Sequence, residues 1–173
     1  MPTLDSSRAF TLVEMLSSVA ITALLLSVAV PSTVQFMHNQ QLISASNALV
    51  ASLALARSES IKRRLPVLVD NGDGSWESGW RVFVDLNSNG QPDEGEPALL
   101  QAAALTTGII AKGNTPVRRY IRYTPSGSSQ LIGGGFQAGT LTLCHATGKQ
   151  AIRRLVLSAS GRLRRAKGEP GPC

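Results

Sequence analysis

A long apolar segment near the start of the chain most restricts what this sequence can fold into. The segment runs from Phe10 to Val30 and contains one ionised side chain, Glu14. An α-helix of about twenty residues covers the ~30 Å hydrocarbon core of a bilayer, so the segment predicts a single membrane-spanning helix. Arg8 precedes the segment and no lysine or arginine follows closely, which predicts a cytoplasmic N-terminus with the rest of the chain across the membrane.

Glu14 distinguishes between interpretations of this segment. An ordinary secretory signal would be cut after the apolar core, where "SVA" at residues 27–29 is an acceptable site, and a plain anchor would not be cut. Neither explains Glu14, because a carboxylate at membrane depth costs free energy unless a partner neutralises it. The residues at the start of the segment lead to a third interpretation.

The stretch "AFTLVE", residues 9–14, resembles the cleavage site of type IV prepilins, which are cut ahead of the apolar segment. The resemblance implies that prepilin peptidase cuts between Ala9 and Phe10, with Ala9 in the place where the family usually has glycine. It also implies that the new amine of Phe10 is methylated, and that Glu14 pairs with such an amine on a neighbouring subunit. Pro31 stands where pilins have a helix-kinking proline, since proline removes a hydrogen bond inside a helix.

Beyond Pro31 the sequence predicts an amphipathic helix followed by a β-rich body. Apolar residues recur at helical spacing from Val34 to Ala56, so we expect the helix to continue to about Lys62. Turn-forming residues then separate five strand candidates, at 65–70, 79–85, 117–124, 139–145 and 152–158. The predicted fold class is α+β, with a long N-terminal helix, half of it transmembrane, packed on an antiparallel β-sheet body.

Two further stretches resemble the FimT/FimU/GspH branch of the pilin-like proteins. They are the helix ending "ALARSESIKRR", residues 54–64, and "GWRVFVDLNSNGQPDEGEPALL", residues 79–100. The resemblance implies a chain in three parts. These are a prepilin leader at 1–9, the transmembrane half of the helix at 10–31, and a periplasmic or extracellular body at 32–173 that includes the amphipathic half of the helix.

Charge is distributed unevenly along a chain whose net charge is +6. The part from Lys112 onward is strongly basic, and its densest run of cations is "SGRLRRAK", residues 160–167. On an extended chain Arg162 and Arg164 share one face while Leu163 faces the core. Arginine presents a planar fork that matches phosphate oxygens, so this run predicts a salt-sensitive contact with DNA that has little sequence preference.

The segment "GRLR" resembles the GRxR motif near the C-terminus of FimT-type minor pilins, which bind DNA in natural transformation. The candidate DNA-binding residues are Arg153, Arg154, Arg162, Arg164, Arg165 and Lys167. Two alternatives stay open. The first is a solvated strand whose arginines keep the surface soluble, and the second is a basic face that pairs with the acidic half, residues 65–111, of a neighbouring subunit.

The stretch "DLNSNGQPDEGE", residues 85–96, fits the spacing of an EF-hand calcium loop. Calcium prefers oxygen ligands, and the candidates here are Asp85, Asn87, Asn89 and Glu96. However, the segment ahead of the loop is strand-like rather than helical, and Pro92 removes a backbone donor. The alternative is a polar β-hairpin loop, rich in Asn, Gly and Asp because those residues tolerate turn geometry. We therefore expect no metal and no cofactor.

The two cysteines, Cys144 and Cys173, do not have metal-ligand spacing. In an oxidising periplasm they predict one disulfide that fastens the C-terminal tail to the body, and the alternative is two free thiols. Cys144 and His145 are the one candidate for a nucleophile and its base, but adjacent residues on a strand point to opposite faces. We expect the protein not to be an enzyme.

The resemblances and the charge pattern together predict a minor pilin of a type IV pilus, similar to FimT and FimU, with DNA as the ligand of its basic face. The expected location is the bacterial inner membrane, with the body in the periplasm and later in the fibre. The expected partners are other pilins, prepilin peptidase, the inner membrane and DNA. The alternatives are a GspH-like pseudopilin of a type II protein secretion system, and a minor pilin that primes fibre assembly without binding DNA.

Overall fold

The computed structural model describes residues 10–173. The chain divides into two compact units, Met1–Met37 and His38–Cys173, and each is described by itself. The predicted leader at 1–9, which includes the cleavage residue Ala9, lies outside the described residues. The predicted boundary between membrane segment and body, after residue 31, stays a prediction.

One helix, α1 (Leu12–Arg63), contributes to both units. At its start the side-chain oxygen of Thr11 accepts a hydrogen bond from the main-chain N–H of Glu14 (3.3 Å), which satisfies one of the free N–H groups of the first turn. The hydroxyls of Ser18 and Thr22 donate to carbonyls one turn earlier (2.7 and 2.8 Å). This part of α1 is long and apolar enough to cross a membrane, and the apolar side chains that the structure describes there are exposed.

From His38 onward α1 presents a buried apolar stripe to the body. The stripe recurs every three or four residues and consists of Leu42, Ala45, Leu49, Leu53 and Ala56. The last turns are polar, and Glu59 forms ion pairs there with Lys62 and Arg63. Cations in the last turn also interact favourably with the helix dipole. The amphipathic helix predicted beyond Pro31 is therefore present, and it ends one residue later than expected.

The body contains two four-stranded antiparallel sheets. The first has the order β3-β2-β1-β5 and the second has the order β4-β6-β7-β8. The strands are β1 (Val67–Asp70), β2 (Trp80–Val84), β3 (Ala98–Ala102), β4 (Ile109–Gly113), β5 (Tyr120–Tyr123), β6 (Gly139–His145), β7 (Ala151–Leu157) and β8 (Leu163–Pro170). Two short 3₁₀ helices, Trp76–Ser78 and Thr115–Val117, lie in the connections.

The structure confirms the predicted fold class and adds detail to the sheet. The sequence predicted an antiparallel β-sheet body without resolving its two sheets. All five strand candidates overlap a strand, and β6 has the predicted bounds. The strands β3 and β4 were not predicted, and β8 was anticipated only as an extended segment around Leu163. The first two are five residues each and contain alanine or glycine, which have low strand propensity.

Two buried tryptophans connect the helix and the sheets. The indole N–H of Trp80, on β2, donates to the hydroxyl of Ser52 on α1 (2.8 Å). The indole N–H of Trp76 donates to the main-chain carbonyl of Val117 (3.0 Å). Both polar groups are thus satisfied while the rings stay in the core. The bond to Ser52 fixes β2 against the buried stripe of α1.

Candidate nucleic-acid interface

The candidate DNA-binding residues lie on the hairpin formed by β7 and β8. In the sheet order β8 is the last strand, with β7 as its neighbour, so it forms an edge of the body. An edge strand leaves its side chains and one row of main-chain groups open to a partner. The side chains on this edge strand are therefore accessible to a binding partner.

The turn between these two strands is built around Gly161. Its φ is +74°, and a Cβ at this position would collide with the main-chain carbonyl oxygen of Gly127. Arg57 of α1 donates to the same carbonyl (2.9 Å) and to that of Ser160 (3.0 Å). The glycine of the "GRLR" segment is thus a packing position, and Arg57 holds the turn from the helix. This role of Arg57 was not predicted, because no spacing in the sequence links Arg57 to the turns that contain Gly127 and Ser160.

Three of the six candidate residues form an outer basic face. Leu163 pairs with Leu157 and packs against the core. Its neighbours Arg162 and Arg164 are exposed, as the alternation in the sequence predicted. Arg154 pairs with Ala166 and therefore lies on the same side of the sheet as Arg164. We use the term outer basic face for Arg154, Arg162 and Arg164.

The other three candidate residues lie on the opposite side of the sheet, next to α1. Arg165 donates to the side-chain oxygen of Asn47 (3.1 Å), and Arg153 donates to that of Asn39 (3.1 Å). Together with Lys167 they line a groove of about 310 Å³ between α1 and the hairpin, and Arg154 also contributes to its lining. The structure therefore does not bring the six predicted residues together on one face. Residues one apart on a strand point in opposite directions, and this divides the set in two.

The outer basic face carries positive charge without a neighbouring acid to neutralise it. Among residues 10–173 the salt bridges involve other side chains, and none includes Arg154, Arg162 or Arg164. Arg122, which the sequence counts among the cations of this half, is instead buried beside Asp85. Uncompensated guanidinium groups on an exposed edge create a local field that attracts polyanions.

The predicted disulfide between Cys144 and Cys173 is present. Cys144 lies in β6 and is buried, and the tail passes the β6–β7 turn, where Gly171 lies beside Gly148. The bridge therefore returns the chain to β6 after β8 and closes a loop that contains the whole basic hairpin. Both cysteines of the sequence are used in it, so Cys144 has no free thiol for nucleophilic chemistry.

The neighbouring His145 has a packing contact with His38 of α1. The two rings are stacked with centroids 4.0 Å apart, and Nδ1 of His145 lies 2.9 Å from the hydroxyl oxygen of Thr147. Burial lowers the pKa of His145, and the nearby His38 lowers it further. The stacked pair therefore joins α1 to β6 best when His145 is neutral.

Two residues with predicted roles in processing and assembly lie at the start of the described chain. Phe10 and Glu14 are both exposed, and Glu14 lies in the first turn of α1. This exposure leaves the Glu14 carboxylate accessible to another subunit. Cleavage between Ala9 and Phe10, the pairing of Glu14 and the kink at Pro31 stay predictions.

The loop between β2 and β3 holds the calcium candidates Asp85, Asn87, Asn89 and Glu96. Asp85 is fully buried, whereas the two asparagines are exposed. Glu96 accepts hydrogen bonds from the main-chain N–H groups of Leu86 (2.7 Å) and Asp93 (3.1 Å). Within residues 10–173 no three His, Cys, Asp or Glu side chains are grouped closely enough to hold a metal ion. A cation in this loop would therefore also need amide and carbonyl oxygens.

Comparison with protein families gives two matches. The family described as type II transport protein GspH matches residues 45–161. The family described as the prokaryotic N-terminal methylation motif matches residues 4–30. The first of these covers about two thirds of the chain. A comparison with curated proteins found no match.

Comparison with solved structures gives similar folds. The type IV minor pilin FimU of Pseudomonas aeruginosa is 22% identical with a TM-score of 0.61, and the match covers 76% of this chain and 92% of that chain. The minor pseudopilin EpsH from the type 2 secretion system of Vibrio cholerae is 16% identical with a TM-score of 0.52, over 75% of this chain and 97% of that chain. These similarities show a pilin-like fold, with one long N-terminal helix packed on antiparallel sheets.

Proposed function

The chain belongs to the GspH family of type II transport proteins, and we propose that it is a minor pilin of a type IV pilus whose outer basic face binds DNA. The N-terminal methylation motif at residues 4–30 supports processing by prepilin peptidase and insertion in the inner membrane. After processing, α1 packs among the helices of other pilins and the body extends from the fibre. Membership of this family specifies neither the type of fibre nor the ligand, and the proposal adds both.

The observation that carries the DNA proposal is the exposure of Arg164 on an edge strand and of Arg162 in the fixed turn that precedes this strand. Both side chains are exposed, and neither forms a salt bridge with a described carboxylate. The turn that presents them is held by Gly161 and by Arg57. A rigid support lowers the entropy that is lost when the arginines bind, so the same charges bind a polyanion more tightly.

The chemistry of this face favours recognition of phosphates. Along an extended strand Arg162 and Arg164 are about 7 Å apart, and each guanidinium donates paired hydrogen bonds that match phosphate oxygens. Phosphate contacts fix position on a duplex but carry no sequence information. We therefore expect DNA binding with little sequence preference and with a strong dependence on salt.

The test is a titration of duplex DNA with the full-length chain in detergent, with its disulfide oxidised. Fluorescence anisotropy of labelled DNA at low and near-physiological salt gives the affinity and its salt dependence. The variant Arg162→Gln/Arg164→Gln should bind at least roughly tenfold more weakly. It should also flatten the plot of log affinity against log salt by about 0.9 for each phosphate that the variant no longer neutralises.

The matched control is Arg118→Gln/Lys149→Gln, which removes the same net charge from exposed side chains in two other connections of the body. We expect it to bind almost as well as the unmodified chain. A second control, Arg165→Gln/Lys167→Gln, changes the side of the sheet that faces α1 and should also keep most of the affinity. Equal losses in all three variants, or no binding at near-physiological salt, would refute a DNA site on the outer basic face.

A second candidate is a pseudopilin of a type II protein secretion system. The observation that favours it is the family description itself, since the matching family is that of a type II transport protein. In this case the body would cap a short fibre and the outer basic face would contact another pseudopilin. Deleting the gene and measuring DNA uptake and protein secretion in the same strain separates the two. Loss of uptake supports the pilus, and loss of secretion supports the second candidate.

A further inference from the structure

The loop between β2 and β3 has an oxygen-bearing residue at every ligand position of a twelve-residue calcium loop. Such loops use positions 1, 3, 5, 9 and 12 through side chains and position 7 through its carbonyl, with glycine at position 6 for a sharp turn. In chain order these positions are Asp85, Asn87, Asn89, Gly90, Gln91, Asp93 and Glu96. Gly90 has a φ of +73°, and a Cβ there would collide with the side chain of Ile132.

The loop is already wrapped around the carboxylate of Asp85. The main-chain N–H of Gly90 donates to Oδ2 of Asp85 (3.2 Å). At the other end, Glu96 accepts the N–H of Leu86 (2.7 Å), which brings the last ligand position beside the first. The two ends of the loop are therefore closed by its own hydrogen bonds.

Asp85 provides an independent indication of a ligand. Its side chain is fully buried, and its Oδ1 has no hydrogen-bond partner among the described residues. The nearest cation is Arg122, whose Nε is 3.9 Å from Oδ2 and also lacks a hydrogen-bond partner. Burying a carboxylate oxygen without a hydrogen-bond partner costs free energy, and a bound cation would neutralise this oxygen.

Three of the ligand positions also converge on one point. The side-chain amides of Asn87 and Asn89 both donate to Oδ2 of Asp93 (2.7 and 2.6 Å). A carboxylate between two amides that can each turn an oxygen inward is a site for a hard cation. Pro92 removes only an N–H group, and the carbonyl of Gln91 ahead of it keeps its acceptor capacity.

We propose that residues 85–96 bind one calcium ion in a loop flanked by strands instead of helices. The six oxygen ligands come from Asp85, Asn87, Asn89, the main chain of Gln91, Asp93 and Glu96. The three carboxylates among residues 10–173 that this set uses are not grouped closely enough to hold an ion in this structure, so binding draws them together. Calcium accepts this mixture of carboxylate, amide and carbonyl oxygens, whereas magnesium requires a tighter octahedron and retains its waters. Three carboxylates place the expected Kd at about 10⁻⁴ to 10⁻³ M, the range of extracellular calcium modules.

The test is a calorimetric titration of CaCl₂ into the full-length chain in detergent, after treatment with EDTA and dialysis. We expect one ion per chain, a higher thermal unfolding midpoint in millimolar calcium, and binding of MgCl₂ that is at least roughly tenfold weaker. The variant Glu96→Gln should weaken calcium binding by roughly tenfold or more, since it removes the charged ligand at position 12. The control Glu94→Gln makes the same charge change at an exposed position that is not a ligand position, and it should keep the affinity.

Circular dichroism of each variant establishes whether it is folded. If Glu96→Gln is not folded, Asp93→Asn at an exposed ligand position replaces it in the same titration. The proposal is overturned if calcium gives neither heat nor a change in the unfolding midpoint. It is also overturned if the ligand-position variant binds as tightly as Glu94→Gln, because the ion would then be held by general surface charge.

Discussion

Individual residues of the "GRLR" segment have different tasks. Arg162 and Arg164 are exposed and carry charge, whereas Leu163 packs against the core and Gly161 allows the turn to approach the Gly127 carbonyl. Within this short motif, Gly161 and Leu163 therefore support the surface that Arg162 and Arg164 form. We therefore expect substitutions of Gly161 and Leu163 to change stability, whereas substitutions of Arg162 and Arg164 change the charge of the surface.

The first prediction concerns Gly161. The change Gly161→Ala should lower the free energy of unfolding by about 2 to 4 kcal/mol, because it adds a strained backbone angle and a collision with the Gly127 carbonyl. Urea unfolding followed by circular dichroism measures it. The control is Gly134→Ala, since Gly134 also has a positive φ of +90° but has open space around its Cβ position. It should cost only about 1 kcal/mol, and equal losses in both variants would contradict the packing role of Gly161.

The second prediction concerns the stacked histidines. Burial and His38 lower the pKa of His145 below its ordinary 6.5, so the folded state binds a proton there less readily than the unfolded state. The contribution of neutral His145 to the free energy of unfolding is therefore complete above pH 6.5. It is lost as the pH falls through the lowered pKa of His145. Urea unfolding between pH 7 and pH 5 should show stability falling with acid. The fall should be smaller in His145→Gln, and an identical pH dependence in both proteins would contradict this role.

At the scale of elements, the sequence predicted strands best where the pattern was regular. The run "GTLTLCH" alternates between polar and apolar residues, and β6 has the predicted bounds. In contrast, β8 contains Lys167, Gly168 and Pro170, which have low strand propensity, and it forms because β7 pairs with it and the disulfide holds the tail beyond it. Tertiary contacts of this kind leave no periodic signal in the sequence.

The candidate site was predictable to the same extent. The alternation around Leu163 predicted that Arg162 and Arg164 share one face. Both side chains are exposed, and Arg164 lies on the opposite side of the sheet from Leu163. The same alternation could also have separated Arg165 and Lys167 from these two arginines, but those residues were grouped by charge alone. The roles of Asn39 and Asn47 as partners of the inner arginines depend on how α1 packs on the second sheet, which the sequence does not specify.

The third prediction concerns the disulfide that closes the hairpin loop. Cys144 and Cys173 are 29 residues apart, and constraining a loop of this length stabilises the folded state by about 3 to 4 kcal/mol in the chain-entropy model. The variant Cys144→Ala/Cys173→Ser should lose about this much in urea unfolding. It should also expose the amides of β8 to hydrogen exchange before those of β6. Protection of β8 equal to that of the unmodified chain would contradict the role of the bridge in holding this strand.

At the scale of the whole molecule, the two units have opposite solvent requirements. The apolar side chains that the structure describes in α1 up to Met37 are exposed, whereas the body buries its apolar residues in a core of its own. An exposed apolar helix of this length requires a membrane or the helices of other subunits around it. A carboxylate in such an environment needs a cation. The predicted pairing of Glu14 with the Phe10 amine of a neighbouring subunit would therefore connect the processing of the chain with its assembly.

The final prediction follows from this connection. Glu14→Ala should leave cleavage and membrane insertion intact, so mass spectrometry should find an N-terminal peptide that begins at Phe10 and carries a methyl group. Incorporation into fibres should fall by roughly tenfold or more, because pairing a carboxylate at membrane depth contributes more than the 1.4 kcal/mol that corresponds to a factor of ten. Comparing the sheared fibre fraction with the membrane fraction measures this. The control is Ser17→Ala, which lies about one turn further along the same helix and changes no charge. It should assemble normally. If Glu14→Ala chains entered fibres as well as the control, the carboxylate would have no partner in the fibre, and its presence in the apolar segment would need a different explanation.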